Sequence, residues 1–178
     1  AWSGEDINFE AIIDQAEKAL EQADQIRAIA ENFDYSNGVT TMGRGYAYAN
    51  AQECALKIQE TVKIPVASFS SADYLHGPIS SLHSESRVIF LAPVAIAESA
   101  MSATVQRIRE ITSHIYWIGA GFARNQNETY LGGSQSLSKM DAVIADSVLL
   151  QLFALFLAVS AGKKPDDPIG LTKVTKTF

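Results

Sequence analysis

Apolar positions recur every three and four residues through Phe9, Ile12, Ile13, Ala16, Leu20, Ala23, Ile26 and Ala30. That spacing predicts one helix with a single apolar stripe. Acids occupy its other side, and Asp6 or Asn8 is placed to cap its start. Asn37-Gly38 reads as a turn, Val39–Met42 as a short buried strand, and Gly43-Arg44-Gly45 as the turn that follows. Tyr48, Ala51, Ala55, Ile58 and Val62 restore the helical spacing and predict a second helix. Val66–Phe69 reads as a strand, and Ala72–Leu75 as one helical turn stopped by Gly77-Pro78. Further along, Arg87–Ala92 and His114–Ile118 read as buried strands, and Glu98–Thr112 between them as a helix. Thr129–Leu131 gives a last short strand, and a long apolar helix runs from Ser138 to Gly162. Lys163–Phe178 carries two prolines and is expected to be extended.

Short strands alternating with helices are the pattern of an α/β fold with a mostly parallel sheet, covered on both faces as a three-layer αβα sandwich. In such a fold functional groups gather where strands end. Here those places are Gly43-Arg44-Gly45, Ser70–His76, Pro93 onward and Gly119–Arg124. The stretch Ala142–Ala161 is apolar enough to suggest a membrane span, but Asp146, Ser147 and Gln151 interrupt it. Its uninterrupted part is shorter than the roughly 18–20 residues a span needs, so it reads as a buried helix. Leucine, phenylalanine and valine surround that helix, so one face is expected on the sheet and the other against a second partner, another subunit or domain.

The length of 178 residues fits about one domain, large enough to bury a core without metals or disulfides. Apolar residues make up 47% and charged residues 19%, which excludes a disordered chain. The net charge of −6 is unevenly placed, since residues 1–34 alone sum to −7 and the other 144 to +1. No basic stripe supports nucleic-acid binding. One cysteine, Cys54, excludes an internal disulfide and reads as a small core residue. The start of the chain has neither a basic nor an apolar run, so no signal segment is expected.

Candidate chemistry concentrates between Gly43 and Pro78. Glu53, Lys57 and Glu60 are four and three residues apart and share one helix face, opposite the apolar stripe. Taken alone, that row is an ordinary solvated ion pair worth about 0.3–0.5 kcal/mol. Its helix follows a glycine-flanked turn, however, and His76 lies sixteen residues beyond Glu60 in another turn. Gly43-Arg44-Gly45 offers backbone N–H groups and a guanidinium to an anion, though two glycines are ordinary turn chemistry as well. His83 reads as a surface residue and His114 as structural; no histidine pair has metal-ligand spacing.

These residues carry a resemblance. Gly43-Arg44-Gly45, Ala51–Thr61 with its Glu53, Lys57 and Glu60, Ala72–Pro78 with its His76-Gly77-Pro78, and the Val159–Thr175 tail resemble the second SIS (sugar isomerase) domain of the glucosamine-6-phosphate synthase isomerase family. Amine-releasing sugar-phosphate deaminases share the pattern. The resemblance implies a flavodoxin-like SIS domain at 35–164, preceded by linker helices at 1–34 from a missing first SIS domain and followed by a functional tail at 165–178. It implies a phosphosugar substrate of the fructose 6-phosphate or glucosamine 6-phosphate type, no cofactor or metal, a cytoplasmic homodimer, and no nucleic-acid or membrane partner.

By the same resemblance Glu60 moves a proton between C1 and C2 of the open-chain sugar. His76 helps open the ring from the neighbouring subunit, and Lys173 forms a Schiff base with the ketose. Lys57, Arg44 and Thr172 are implied as substrate-binding, with Lys57 steadying the charge of Glu60. Leu75, Gln59 and Ile169 depart from the usual lysine, lysine and arginine. The Ser-x-Ser-Gly-x-Thr phosphate loop of the first domain is not in this sequence. A second reading is a non-catalytic sugar-phosphate-binding or regulatory module on the same fold.

Overall fold

The computed structural model describes residues 6–92, 98–119, 125–133, 136–167 and 170. Five short strands form one parallel sheet: β1 (Val39–Gly43), β2 (Val66–Ser70), β3 (Arg87–Leu91), β4 (Ile115–Gly119) and β5 (Thr129–Gly132). Their order is β2-β1-β3-β4-β5, every neighbouring pair parallel. This is the flavodoxin-like order, in which the chain leaves β1 to one side and returns on the other. The described helices are α1 (Phe9–Glu21), α2 (Ala23–Glu31), α3 (Ala47–Val62), α4 (Ser71–Tyr74), α5 (Glu98–Arg109) and α6 (Lys139–Ser160), with a 3₁₀ turn at Pro78–Ser81.

Alternation along each strand divides the core between the two faces of the sheet. Val39, Ile89, Leu91, Ile118 and Leu131 face α2, α3 and α6, whereas Met42, Val88, Phe90, Ile115 and Trp117 face α4 and α5. On the second face Phe90 stacks on Trp117 with ring centroids 4.5 Å apart. On the first, Phe153 of α6 meets Phe33 edge-on at 5.2 Å, and Phe33 meets Tyr116 at 4.7 Å.

α6 passes a membrane-span test by length and composition, yet half of its most apolar window is buried inside the fold. Leu149, Leu150, Phe153 and Leu157 are almost wholly enclosed. The second partner expected for this helix is supplied largely from within the chain, because α1, α2 and α3 all pack on it. Ser138 caps its start, the Oγ accepting from the Asp141 N–H at 3.2 Å. Gly162, at φ +68°, closes its end, as the Lys163 N–H bonds back to the Ala158 carbonyl at 2.9 Å.

The first helix differs from its prediction. The periodic stretch is two helices broken at Gln22, whose side-chain amide donates to the Lys18 carbonyl at 3.3 Å and to the Gly132 carbonyl at 3.0 Å. That second bond occupies an acceptor of the edge strand β5, which would otherwise offer an open ladder. Nor is the apolar stripe all inward. Ile12, Ala19, Ile26 and Ala30 are buried, while Phe9, Ile13 and Leu20 are 67%, 58% and 55% exposed. Of the two proposed caps, Asn8 is the one used, accepting from the Ala11 N–H at 3.1 Å.

Gly43 closes the joint between β1 and α3. A Cβ there would lie 2.3 Å from the Ala47 carbonyl oxygen, and that oxygen belongs to backbone and cannot yield. Gly43→Ala is expected to destabilise the fold by about 1–3 kcal/mol, measured by urea denaturation.

Candidate functional site

α3 carries the acid–base row. Lys57 Nζ lies 2.9 Å from a Glu60 carboxylate oxygen and 3.5 Å from a Glu53 oxygen, so one ammonium bridges two acids. All three side chains are about one-third exposed, at 33–36%. The hydrogen bond that Lys57 donates to Glu60, reinforced by the charges of both glutamates, raises the Lys57 pKa and keeps the amine protonated. The opposite face of α3, through Ala51, Cys54, Ala55 and Ile58, is fully packed. Cys54 is among these core residues, and burial pushes its thiol up to about 12.

The expected site residues do not all meet. Arg44, half-buried, follows β1 and has no ion-pair partner among the described residues. Glu60 lies in the last turn of the same helix, beside Gln59, whose amide donates to the Val66 carbonyl at the start of β2 at 2.9 Å. Thirteen helical residues, about 20 Å at 1.5 Å per residue, separate Ala47 beside Arg44 from Glu60. Glu60 therefore stands toward the starting edge of the sheet, away from the carboxyl-end crevice where an open α/β sheet ordinarily binds ligands. His76 occupies an exposed turn after α4, held by its N–H on the Asp73 carbonyl at 3.0 Å, and no hydrogen bond joins it to Glu60. Thr172 and Lys173 lie outside the described residues.

A cavity of about 340 Å³ opens at the starting edge of β1 and β2. Asn37, Thr40, Pro65, Tyr74, Ser81 and Ser86 are among the residues that line it, and no charged side chain does.

Two further polar groups escaped the sequence reading. Glu128, with only 3% of its side chain exposed, accepts from Arg109 Nε at 2.6 Å and Nη2 at 2.9 Å, from Trp117 Nε1 at 2.7 Å and from Tyr130 Oη at 2.9 Å. Burial opposes its charge, but the bonds from Arg109, Trp117 and Tyr130 outweigh it, so its pKa is lowered. Nothing in the linear pattern marks Glu128, because apart from nearby Tyr130 its partners come from α5 and β4. The second group, Asp146, sits in the apolar run of α6 at 1% exposure. An acid inside an otherwise apolar helix was a readable signal.

No family model matches this chain. It is 28% identical over 168 residues, 93% of its length, to the glutamine–fructose-6-phosphate aminotransferase (isomerizing) of Escherichia coli K12, and it covers 27% of that protein. In fold it matches the C-terminal domain of glucosamine-fructose-6-phosphate aminotransferase from Francisella tularensis with a TM-score of 0.78 at 20% identity, covering 87% of this chain and 44% of the other. The chain has the SIS fold. The tagatose-6-phosphate ketose/aldose isomerase of Escherichia coli matches with a TM-score of 0.73 at 18% identity, covering 95% of this chain and 48% of the other. The chain thus spans about a quarter of the curated aminotransferases it resembles (27%) and about half of these solved chains.

Glu128→Gln is expected to lower the stability of the domain by about 1.5–3 kcal/mol near neutral pH, because the charged hydrogen bonds with Arg109 are lost. A carboxylate with a lowered folded pKa contributes its full stability above its unfolded value of 4.5 and loses it as the pH falls through the folded one. The gap between wild type and variant should therefore narrow below about pH 4.5 in a series of denaturation curves.

Proposed function

We propose that this SIS domain is the C-terminal half of a phosphosugar aldose–ketose isomerase or amino-sugar-phosphate deaminase, acting on substrates of the fructose 6-phosphate or glucosamine 6-phosphate type. The observation that carries the reading is the bridged Glu53–Lys57–Glu60 row on α3, at the spacing the synthase family uses. The two relatives whose names specify sugar-phosphate amination and ketose–aldose interconversion support the same class.

In this reading Glu60 is the general base and acid. Its carboxylate removes the proton on the carbon beside the carbonyl or imine of the open-chain sugar, leaving an enediol or enamine. It then returns that proton to the neighbouring carbon, so the net change is an isomerisation. Lys57, 2.9 Å away, orients the carboxylate. His76 opens the sugar ring, and Lys173 holds the ketose carbonyl as a Schiff base, its amine losing water to the new C=N bond. Arg44 and Thr172 contact substrate. The exposed turn of His76, unattached to Glu60, suits a group given to the site of a second subunit in a cytoplasmic homodimer.

The missing Ser-x-Ser-Gly-x-Thr loop favours a narrower role for the chain by itself. Without a phosphate cradle, residues 1–178 alone are expected to fold but not to bind substrate, the chemistry requiring a preceding SIS domain. The second reading, a sugar-phosphate-binding or regulatory module with no reaction of its own, predicts heat on titrating the isolated chain with fructose 6-phosphate. The enzyme reading predicts none.

Glu60→Gln in the full-length protein should reduce interconversion by at least about 10²-fold with little change in folding. His76→Asn should slow turnover only from the ring form. Turnover of Glu60→Gln equal to wild type on both sugar phosphates would overturn the assignment.

A further inference from the structure

The buried acid of α6 is used by nothing described above. Asp146 is 1% exposed, and neither carboxylate oxygen has a hydrogen-bond partner. The carboxyl lies against two glycines at the ends of neighbouring strands. A Cβ on Gly119, the last residue of β4, would be 2.7 Å from Asp146 Oδ2, and one on Gly133, just after β5, would be 2.5 Å from Oδ1 and 2.6 Å from Oδ2. Both strand ends therefore reach α6 only because they lack side chains. The Ala92 carbonyl oxygen, just past β3, is 2.5 Å from the same Gly119 position. Among the described residues, Asp146 thus lies against glycine backbone with no donor bonded to its carboxylate.

No charged group acts on this acid. The desolvation of its buried site is the sole cause of its shift, which raises the pKa from 3.8 to about 8. The polar groups on the elements around it are few. On α6 itself Asp141, 4% exposed, lies five residues before it, and Ser147 follows it with its hydroxyl on the Ile144 carbonyl. β4 and β5 present Gly119 and Gly133, and Gln22 from the α1–α2 junction is committed to the Gly132 carbonyl. A carboxylate would be uncompensated there, whereas a neutral carboxyl has a proton of its own to offer.

We propose that Asp146 is a protonated latch, which as a neutral acid lets the ends of β4 and β5 close on α6 and on ionising drives them apart. The inference is independent of the reaction proposed for the domain, since no step of that reaction uses Asp146. It makes the carboxyl-end edge of the sheet, the customary ligand edge of this fold, the part of the domain that senses pH.

Linkage fixes the sign. Below about pH 4 the acid is neutral whether the chain is folded or unfolded, and it costs nothing. Between about pH 4 and 8 only the unfolded chain ionises, so the fold loses stability as the pH rises, by a factor of about ten in the unfolding constant per unit. Above about pH 8 both states are ionised and the penalty stops growing.

Asp146→Asn keeps the shape and supplies an amide donor in every protonation state. Denaturation of both proteins at pH 5, 6, 7 and 8 should show unfolding constants diverging by about tenfold per unit, with the asparagine variant the more stable at pH 8. Parallel profiles, or a variant less stable throughout, would overturn the proposal. A carbon-detected NMR titration of the wild-type carboxyl is the direct check and does not depend on the variant folding. A midpoint near 8 supports the latch and one below 5 overturns it. Amide exchange at Gly119 and Leu131, corrected for its intrinsic pH dependence, should quicken above pH 8 in the wild type. Equal quickening in the variant would remove the latch even if the carboxyl titrates as expected.

Discussion

An apolar helix with one broad face that must be kept from water governs how this domain is assembled. α6 carries Leu149, Leu150, Phe153, Phe156 and Leu157 on one broad face, while Ile144, Leu155 and Val159 stay exposed, and each buried side chain of that size stabilises the fold by about 1.5–3 kcal/mol. The sheet covers one side. α1 and α2 are needed for another and α3 for a third. The acidic N-terminal segment therefore packs into the same core as the central strands: Ala19, Ile26, Ala30 and Phe33 belong to the cluster that holds Ile89, Ile118 and Phe153. Its charge of −7 sits on the outer side of helices whose inner side is structural. Gln22 and Gln25 of the same segment reach the Gly132 and Tyr130 carbonyls, which ties this cover to the edge strand.

The two faces of the sheet do different work. On the α5 face, Glu128 gathers a cation, an indole N–H and a phenol around one nearly inaccessible carboxylate, so that its charge is fully compensated. On the α6 face, Asp146 has no hydrogen-bond partner among the described residues, and burial pushes its pKa up to about 8. Two buried acids on opposite faces of the sheet thus have their pKa values pushed in opposite directions by their surroundings. On α3, the Glu53–Lys57–Glu60 row is intermediate: partly solvated, bridged by one ammonium, and accessible to a substrate. Solvent access separates a group able to exchange protons with a ligand from groups that only hold the fold.

α3 also sets how far apart the residues of the proposed site lie. A 16-residue helix carries Glu60 from the end of β1 back toward the sheet's starting edge, so Arg44 and Glu60 lie at opposite ends of it. His76 projects from a separate turn. Residues that a linear motif places within thirty-three positions are dispersed over the surface, an arrangement suited to sites completed by another domain or subunit.

The sequence by itself determined the element order, the parallel α/β class, the cap at Ser138, the glycine stop at Gly162 and the packed face of α3, because each depends on local periodicity or on backbone chemistry within a few residues. The likeness to the SIS domain was legible in the same way, from Glu53, Lys57, Glu60 and His76 in fixed register. Only the tertiary structure decided the break at Gln22, since its reason is a bond to a carbonyl 110 residues away. Only tertiary structure could show that the second face of α6 is covered from within the chain, that Glu128 is neutralised by α5 and β4, and that Gly119 and Gly133 make room for Asp146. In each of these cases the energy lies in a contact between segments far apart in the chain, where periodicity carries no information.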